Sequence, residues 1–271
     1  MRRLIIIALS IIHYPLSVIH ADDCNIRGIE DGAPALCGNA IQGGFLYGES
    51  NWYVNGFKPG VFIVPLGMDA PEMVEITFCR KRREKNCQIF SYNVTQRKYP
   101  ESHVKVEPKF MEWPSETADR IARENKKIRA ARDTRDYSKK GWLDFKHPLR
   151  GEFPTTSPYG ARRVFNGQPR NPHNGWDIGA PTGTPVHAIA NGRVVLTLDA
   201  YLPGKTVIID HGFGMFSIYI HLNEIKTKVG AKASHDTVIG TVGSTGRSSG
   251  PHLHLGLYHN QIALDPELLF K

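Results

Sequence analysis

From Trp142 to the C-terminus the chain is dominated by six short apolar segments, "TPVHAIA", "RVVLTL", "KTVIID", "MFSIYIHL", "DTVIGTVG" and "LHLGLYH". Glycine or proline turns separate them at intervals of about ten residues, a spacing that predicts an antiparallel sheet or barrel. The last segment begins within "GPHLHLGL" and continues to His259. A strand period of two puts His252, His254, Gly256 and Tyr258 on one face and Leu253, Leu255 and Leu257 on the other. One face is apolar, and the other carries two imidazoles beside a glycine.

Upstream, residues 22 to about 110 are rich in glycine and short apolar runs such as "GGFLYGES", "WYVNGFKPGVFIVPLG" and "EMVEITFC", and they read as a small β domain. After Pro114 the pattern changes. Ser115 is placed to cap a helix whose body, "ETADRIARENKKIRAAR", lacks Gly and Pro and aligns Ala118, Ile121, Asn125 and Ile128 in a thin stripe. "DTRDYSKKG" then reads as linker. The expected chain is mainly β: a small N-terminal β domain over 22–110, a connecting helix and linker over 111–140, and a C-terminal antiparallel β-sheet or barrel-like domain over 141–271.

The N-terminal "MRRLIIIALSIIHYPLSVIHA" has two arginines, a nine-residue run from Leu4 to Ile12 that is apolar except for Ser10, and a small residue at Ala21. That is the layout of a signal peptide over residues 1–21. Its apolar run falls short of the ~20 residues a spanning helix needs, and no other stretch is suited to cross a membrane. Export makes the four cysteines, Cys24, Cys37, Cys79 and Cys87, candidates for disulfides. Of the three connectivities, Cys24 with Cys37 and Cys79 with Cys87 close the shortest loops.

A net charge of +8 raises a nucleic-acid reading. The excess is local: Arg120 to Lys140 holds nine Lys or Arg against three Asp or Glu, with no interleaved aromatic stacking set. A solvated helix face explains it better, and nucleic acid is not an expected partner.

Four of the twelve histidines, together with Asp177, bear on chemistry. His173 and Asp177 lie in "PHNGWDIGAPTG", where Pro172, Gly175 and Gly179 oppose a helix, so they converge from a turn or strand. His and Asp are two of the ligand types of an open zinc site. His221 ends "GMFSIYIHL", where alternation groups it with Ser217 and Tyr219, opposite Phe216, Ile218 and Ile220. His252 and His254 have Cα atoms about 7 Å apart on a strand, and geometry alone does not divide their duties. Each taken singly is an ordinary polar residue; His187, His211 and His259, with His103, His147 and His235, receive no assignment.

In combination, "HNGWD", "YIHL" and "GPHLHLGL" resemble the lysostaphin/LytM-type zinc metallopeptidases that cleave peptidoglycan peptides. The similarity runs through "SPYGARR", "DIGAPTGTPVHAIANGRVV", "IIDHGFGMFSIYIHL" and "VIGTVGSTGRSSGPHLHLGL", from Ser157 to Leu264. It implies that His173, Asp177 and His254 bind one Zn2+ per chain and that His221 and His252 are the catalytic histidines; none of the five departs from the family's pattern. The whole chain resembles the two-domain exported Gram-negative subgroup, which implies a periplasmic, monomeric D,D-endopeptidase acting on peptidoglycan. The alternative is a non-catalytic, peptidoglycan-binding activator or scaffold of another wall hydrolase; relatives of that kind typically lack some of the ligands. A structural metal site in a basic nucleic-acid binder ranks last.

Overall fold

The computed structural model describes residues 35–36, 40–41, 45–50, 60–78, 88–107, 109, 111–133, 145–212 and 214–270. The proposed signal segment, the four cysteines and the 134–140 linker lie outside the described residues. The chain divides into two compact units, Met1–Lys98 with Lys271, and Tyr99–Phe270. In the first, strands β1 (Ala35–Leu36), β3 (Phe45–Ser50) and β4 (Gly60–Pro65) form an antiparallel sheet. A second sheet has the order β2 (Ala40–Ile41), β6 (Gln88–Thr95), β5 (Met73–Phe78), with β2 parallel to β6.

The second unit opens with β7 (Glu101–Val104) and α1 (Ser115–Ala131). Then come β8 (Thr155–Ser157), β9 (Arg162–Phe165), β10 (Gln168–Pro169), β11 (Trp176–Gly179) and β12 (Pro185–His187). The long strands are β13 (Gly192–Ala200), β14 (Gly204–Gly212) and β15 (Met215–Leu222). They are followed by β16 (Glu224–Ile225), β17 (Lys232–Ala233), β18 (Val238–Thr241), β19 (His252–His259) and β20 (Ile262–Leu264). The fold is mainly β, as the turn spacing predicts.

The main sheet has the order β17-β13-β14-β15-β19-β11-β8, with β20 added to β19. It is open. Of the expected antiparallel sheet or barrel it is the sheet that forms: the path ends on two very short strands, β17 and β8, that are not paired with each other, and such brevity is one way to blunt a sheet edge. A separate sheet, β12-β18-β16, supplies part of the remaining core. Leu253, Leu255 and Leu257 are fully buried, so the apolar face predicted for the last long strand is a core face.

The opposite face is partly covered by α1, whose Ile128 and Ala131 pack on Ile208, Phe216 and Ile218. Two details of this helix differ from the sequence reading. Ser115 is the first helical residue and not the cap: Pro114 occupies that place, and no side chain caps the end. The inward stripe contains Ile121 and Glu124, whereas Ala118 and Asn125 are exposed. Glu124 is tolerated inside because its carboxylate accepts from Arg120 Nε at 2.7 Å and from Tyr201 N at 2.8 Å, which meets the cost of burying a charge.

Candidate metal centre

Antiparallel register builds the centre of the site. Asp177 on β11 lies directly opposite His254 on β19, so the two side chains leave the sheet on the same face. Asp177 Oδ1 is 2.7 Å from His254 Nδ1. His173 arrives from the segment before β11, its N–H donating to Ala161 O at 2.9 Å and its carbonyl accepting from Gly160 N at 2.8 Å. Its Nε2 lies 3.0 Å from Asp177 Oδ1 and 2.9 Å from His254 Nδ1. The three residues form a possible His/Asp/His metal site, with one ligand atom from each within 4.8 Å of the others.

Gly175 makes this approach possible. A Cβ there would lie 2.6 Å from the Leu255 carbonyl and 2.7 Å from two atoms of the His254 ring, far inside contact distance. The glycine in "HNGWD" therefore does more than interrupt a helix: it lets the His173 segment pass over His254.

Hydrogen bonds behind the rings determine which nitrogens face the site. His173 Nδ1 is 2.9 Å from the Pro158 carbonyl, which can only accept, so the proton belongs on Nδ1 and the lone pair on Nε2. The same logic holds for His221, whose Nδ1 donates to Thr245 O at 2.8 Å, and for His252, whose Nδ1 donates to Gly250 O at 2.8 Å. Both carbonyls belong to the 243–250 loop just before β19. His252 Nε2 comes within 3.8 Å of Asp177 Oδ1, and the rings of His221 and His252 are 4.8 Å apart between centroids.

His221 reaches this face by a departure from strand geometry. Ile220 pairs with His254, so strict alternation would send His221 through the sheet to the core side with Tyr219. Between the pairs Val207–Tyr219 and Lys205–Leu222, however, β15 advances three residues while β14 advances two. The extra residue is a β-bulge, and His221 has φ of 62°, a left-handed conformation uncommon for a side-chain-bearing residue. The predicted polar face of Ser217, Tyr219 and His221 is thus divided: Ser217 and Tyr219 are buried, and His221 is turned back beside His252.

Electrostatics favour one ionic state. Burial would raise the Asp177 carboxyl, but the His173 and His254 imidazoles against it hold it well below the usual carboxylate range. Burial pushes His173 down to about 4 and His221 down to about 3, the latter with help from His252 and His254. A buried carboxylate and neutral imidazoles result, which are the forms that bind metal. Arg163 completes the set by donating from Nη2 to Asp177 Oδ2 at 3.0 Å, leaving Oδ1 for the histidine pair.

Residues 171–266 match the family model described as Peptidase family M23. The chain carries an M23 peptidase domain. Its relatives include the Peptidoglycan DD-endopeptidase ShyA of Vibrio cholerae, 39% identical over 113 residues, which cover 41% of this chain and 26% of that protein. The DD-carboxypeptidase/endopeptidase Mpg of Neisseria meningitidis is 44% identical over 82 residues, 30% of this chain and 19% of that protein. The chain thus spans a minor part of the curated relatives it matches. A crystal structure from Pseudomonas aeruginosa described as a peptidase M23 superposes with TM-score 0.63 at 26% identity, covering 84% of this chain and 94% of that one. That likeness extends well beyond the matched M23 segment.

The M23 domain brings all five residues singled out in the sequence into one cluster. Sequence reasoning missed the groups that orient them. Arg163 stands in "SPYGARR", inside the region of resemblance, but nothing local marks it as the partner of Asp177. The Thr245 and Gly250 carbonyls are backbone groups and have no residue signature. At Gly256, the glycine beside the two imidazoles, a Cβ would meet Tyr258 Cε2 at 2.9 Å and Asn174 O at 3.7 Å, so that space is already lined by the protein.

Proposed function

We propose that the chain is a zinc metalloendopeptidase that hydrolyses peptidoglycan stem-peptide cross-links, most simply as a D,D-endopeptidase in the periplasm. One observation carries the reading: three metal-binding atoms converge beside two imidazoles whose Nδ1 protons are committed to carbonyls. His173 Nε2 has its lone pair aimed at the ionised Asp177 Oδ1 only 3.0 Å away. A proton on His254 Nδ1 serves this crowd of acceptors only in part, whereas a dication serves all three atoms. Two imidazoles and a carboxylate, without thiolate, suit zinc in an open catalytic site. We assign His173, Asp177 and His254 as the zinc ligands and His221 and His252 as the catalytic histidines.

Zinc held there supplies Lewis acidity toward a water and toward an amide carbonyl. The chain's own residues do the rest. His221 and His252, with Nε2 free, are placed to take a proton from a water and deliver one to a departing amine, work typically worth ~10² to 10⁴ in rate. The Thr245 and Gly250 carbonyls hold each ring in the required tautomer. Arg163 keeps Asp177 ionised and aimed.

The substrate class rests on the relatives, two of which are named as DD-endopeptidases or carboxypeptidase/endopeptidases. Action on peptidoglycan accords with the export predicted from residues 1–21, and among the described residues no helix is long and apolar enough to cross a membrane. Digestion of cross-linked muropeptides by the purified chain, followed by mass spectrometry, tests the reading and identifies the bond. Cross-linked dimers should become monomers, chelation should stop the reaction, and Asp177→Ala or His254→Ala should abolish both metal binding and cleavage. Cleavage surviving in either variant would remove the assignment.

A further inference from the structure

Beside the metal centre lies a concentration of positive charge that hydrolysis does not itself require. On β9, Arg163 and Phe165 are two residues apart and share a face. Arg247, from the 243–250 loop, lays its guanidinium over the Phe165 ring, 5.1 Å from the centroid. Arg170 lies across from Arg163: the β10–β9 register runs Gln168–Phe165 and Pro169–Val164, and Arg170 N donates to Arg163 O at 2.8 Å. Three guanidinium groups are thus gathered around one strand.

Their compensation is small. Arg163 donates to Asp177 Oδ2, and Arg170 donates to Gln168 Oε1 at 2.8 Å and approaches Met111 Sδ at 3.8 Å. Among the described residues, the Arg247 side chain has only the ring face of Phe165 as a partner. Among the described residues, Asp177 is the single carboxylate paired with any of the three, and its other oxygen belongs to the metal centre. Like charges opposite one another on a sheet are unfavourable, and a bound dication would worsen the imbalance. Burial and then Arg163 and Arg170 lower the Arg247 pKa, in keeping with a group awaiting an anion. Arg247 is also held in place, since its N–H donates to Leu202 O at 2.7 Å.

We propose that Arg247 and Arg170, backed by Arg163, form a subsite for a carboxylate carried by the substrate next to the scissile amide. Guanidinium groups pair with carboxylates through parallel N–H donors, and Arg163, the neighbour of the other two, itself touches Asp177. This deepens the endopeptidase reading and rests on it for the substrate. In a D-alanyl–diaminopimelate cross-link, the residue on the amine side bears a carboxylate on the carbon attached to the scissile nitrogen. Covalent geometry puts that carboxyl carbon about 2.5 Å from the nitrogen. A glycine bridge has no free group there, so the subsite selects cross-links whose amine side is an amino acid with a free α-carboxylate.

The test uses two synthetic cross-linked peptides that differ only in this group, one a carboxylate and the other a carboxamide. The full chain with zinc should cleave the acid about tenfold to a hundredfold better in kcat/KM, the effect of a charge-assisted hydrogen bond. Arg247→Gln and, separately, Arg170→Gln should shrink the ratio toward one. Because the ratio is internal to each protein, a general loss of activity leaves it readable. Equal cleavage of both peptides by the unaltered chain overturns the subsite while leaving the endopeptidase reading intact, as does a ratio unchanged in both variants. If neither peptide is cleaved, the endopeptidase reading fails, and calorimetric binding of the same pair decides the subsite: preference for the acid that Arg247→Gln removes supports it, and equal or absent binding overturns it.

Discussion

Strand β15 serves two polar clusters made from the same kinds of groups. On the core side, His211 Nδ1 is 2.8 Å from Asn191 O, its Nε2 is 2.7 Å from Ser217 Oγ, Ser217 Oγ is 3.0 Å from Tyr219 Oη, and Tyr219 Oη accepts from Ile189 N at 2.8 Å. Ser217 Oγ donates to Tyr219 Oη, and every polar atom of the run, from the Ile189 amide through both hydroxyls and the imidazole to the Asn191 carbonyl, has a protein partner within 3.0 Å. On the other side, His221 and His252 face His173, Asp177 and His254, where acceptors outnumber the protons available between them. Both clusters contain buried histidines with lowered pKa values, so a perturbed imidazole does not by itself indicate function. The balance of donors and acceptors does: a cluster that closes on itself is structural, and one that leaves lone pairs converging calls for a ligand.

The widest separation between the clusters should come from deleting one ring in each. His252→Ala removes an imidazole outside the proposed ligand set, so zinc content measured by mass spectrometry should stay near one per chain while cleavage falls by about 10² to 10⁴. His211→Gln should leave the residual activity of the correctly folded fraction within a few-fold of the parent protein. Loss of zinc in His252→Ala would move that residue into the ligand set and break the division of roles.

Acidification should distinguish the closed cluster by stability. Burial pushes His211 down to about 4, against an ordinary value of 6.5, so the folded state binds fewer protons than the unfolded state between those limits. Stability from this group is then fully present above about pH 6.5 and is lost as the pH falls toward 4, at about 1.4 kcal/mol per pH unit. Chemical denaturation of the zinc-loaded chain between pH 7 and 4.5 should show a shallower decline for His211→Gln than for the parent. Parallel declines would mean that His211 titrates as in the unfolded chain.

These contrasts also explain what was legible in the sequence. The strands were, because apolar alternation and turn residues are local, and so were the five histidine and aspartate positions, because their short motifs carry a family resemblance. The choice between open sheet and closed barrel was not, since edge pairing depends on strands of two or three residues that have no period to detect. The orientation of His221 was misread for a related reason. Alternation assumes an unbroken ladder, and the bulge that returns His221 to the metal side depends on how β15 registers with β14, a non-local fact. Glu124 likewise looked like a surface residue until Tyr201 N and Arg120 supplied its partners.

A smaller effect should follow from the groups behind the ligands. Arg163→Gln removes the charged donor from Asp177 Oδ2 while leaving all three ligand atoms, and partners of this kind typically contribute about 10- to 100-fold to metal affinity. Competition with a chromophoric chelator should register that loss. An unchanged affinity would show that the β11–β19 register alone aims Asp177, and it would weaken the distinction between a self-sufficient cluster and one that needs outside support.

The smallest effect concerns the bulge that separates the clusters. Holding a side-chain-bearing residue in the left-handed region costs roughly 1–2 kcal/mol, a cost glycine does not share. At His221, with φ of 62°, that cost is carried by a residue whose ring points into the metal centre. His221→Ala and His221→Gly both delete the imidazole and should be similarly inactive, so their difference isolates the backbone. The glycine variant should be the more stable by about 1 kcal/mol in urea denaturation, less any gain in unfolded-chain entropy. If alanine proves the more stable, the bulge is unstrained and the left-handed turn is simply what the 243–250 loop and the Pro203 carbonyl, which accepts from His221 N at 3.0 Å, impose on any residue there.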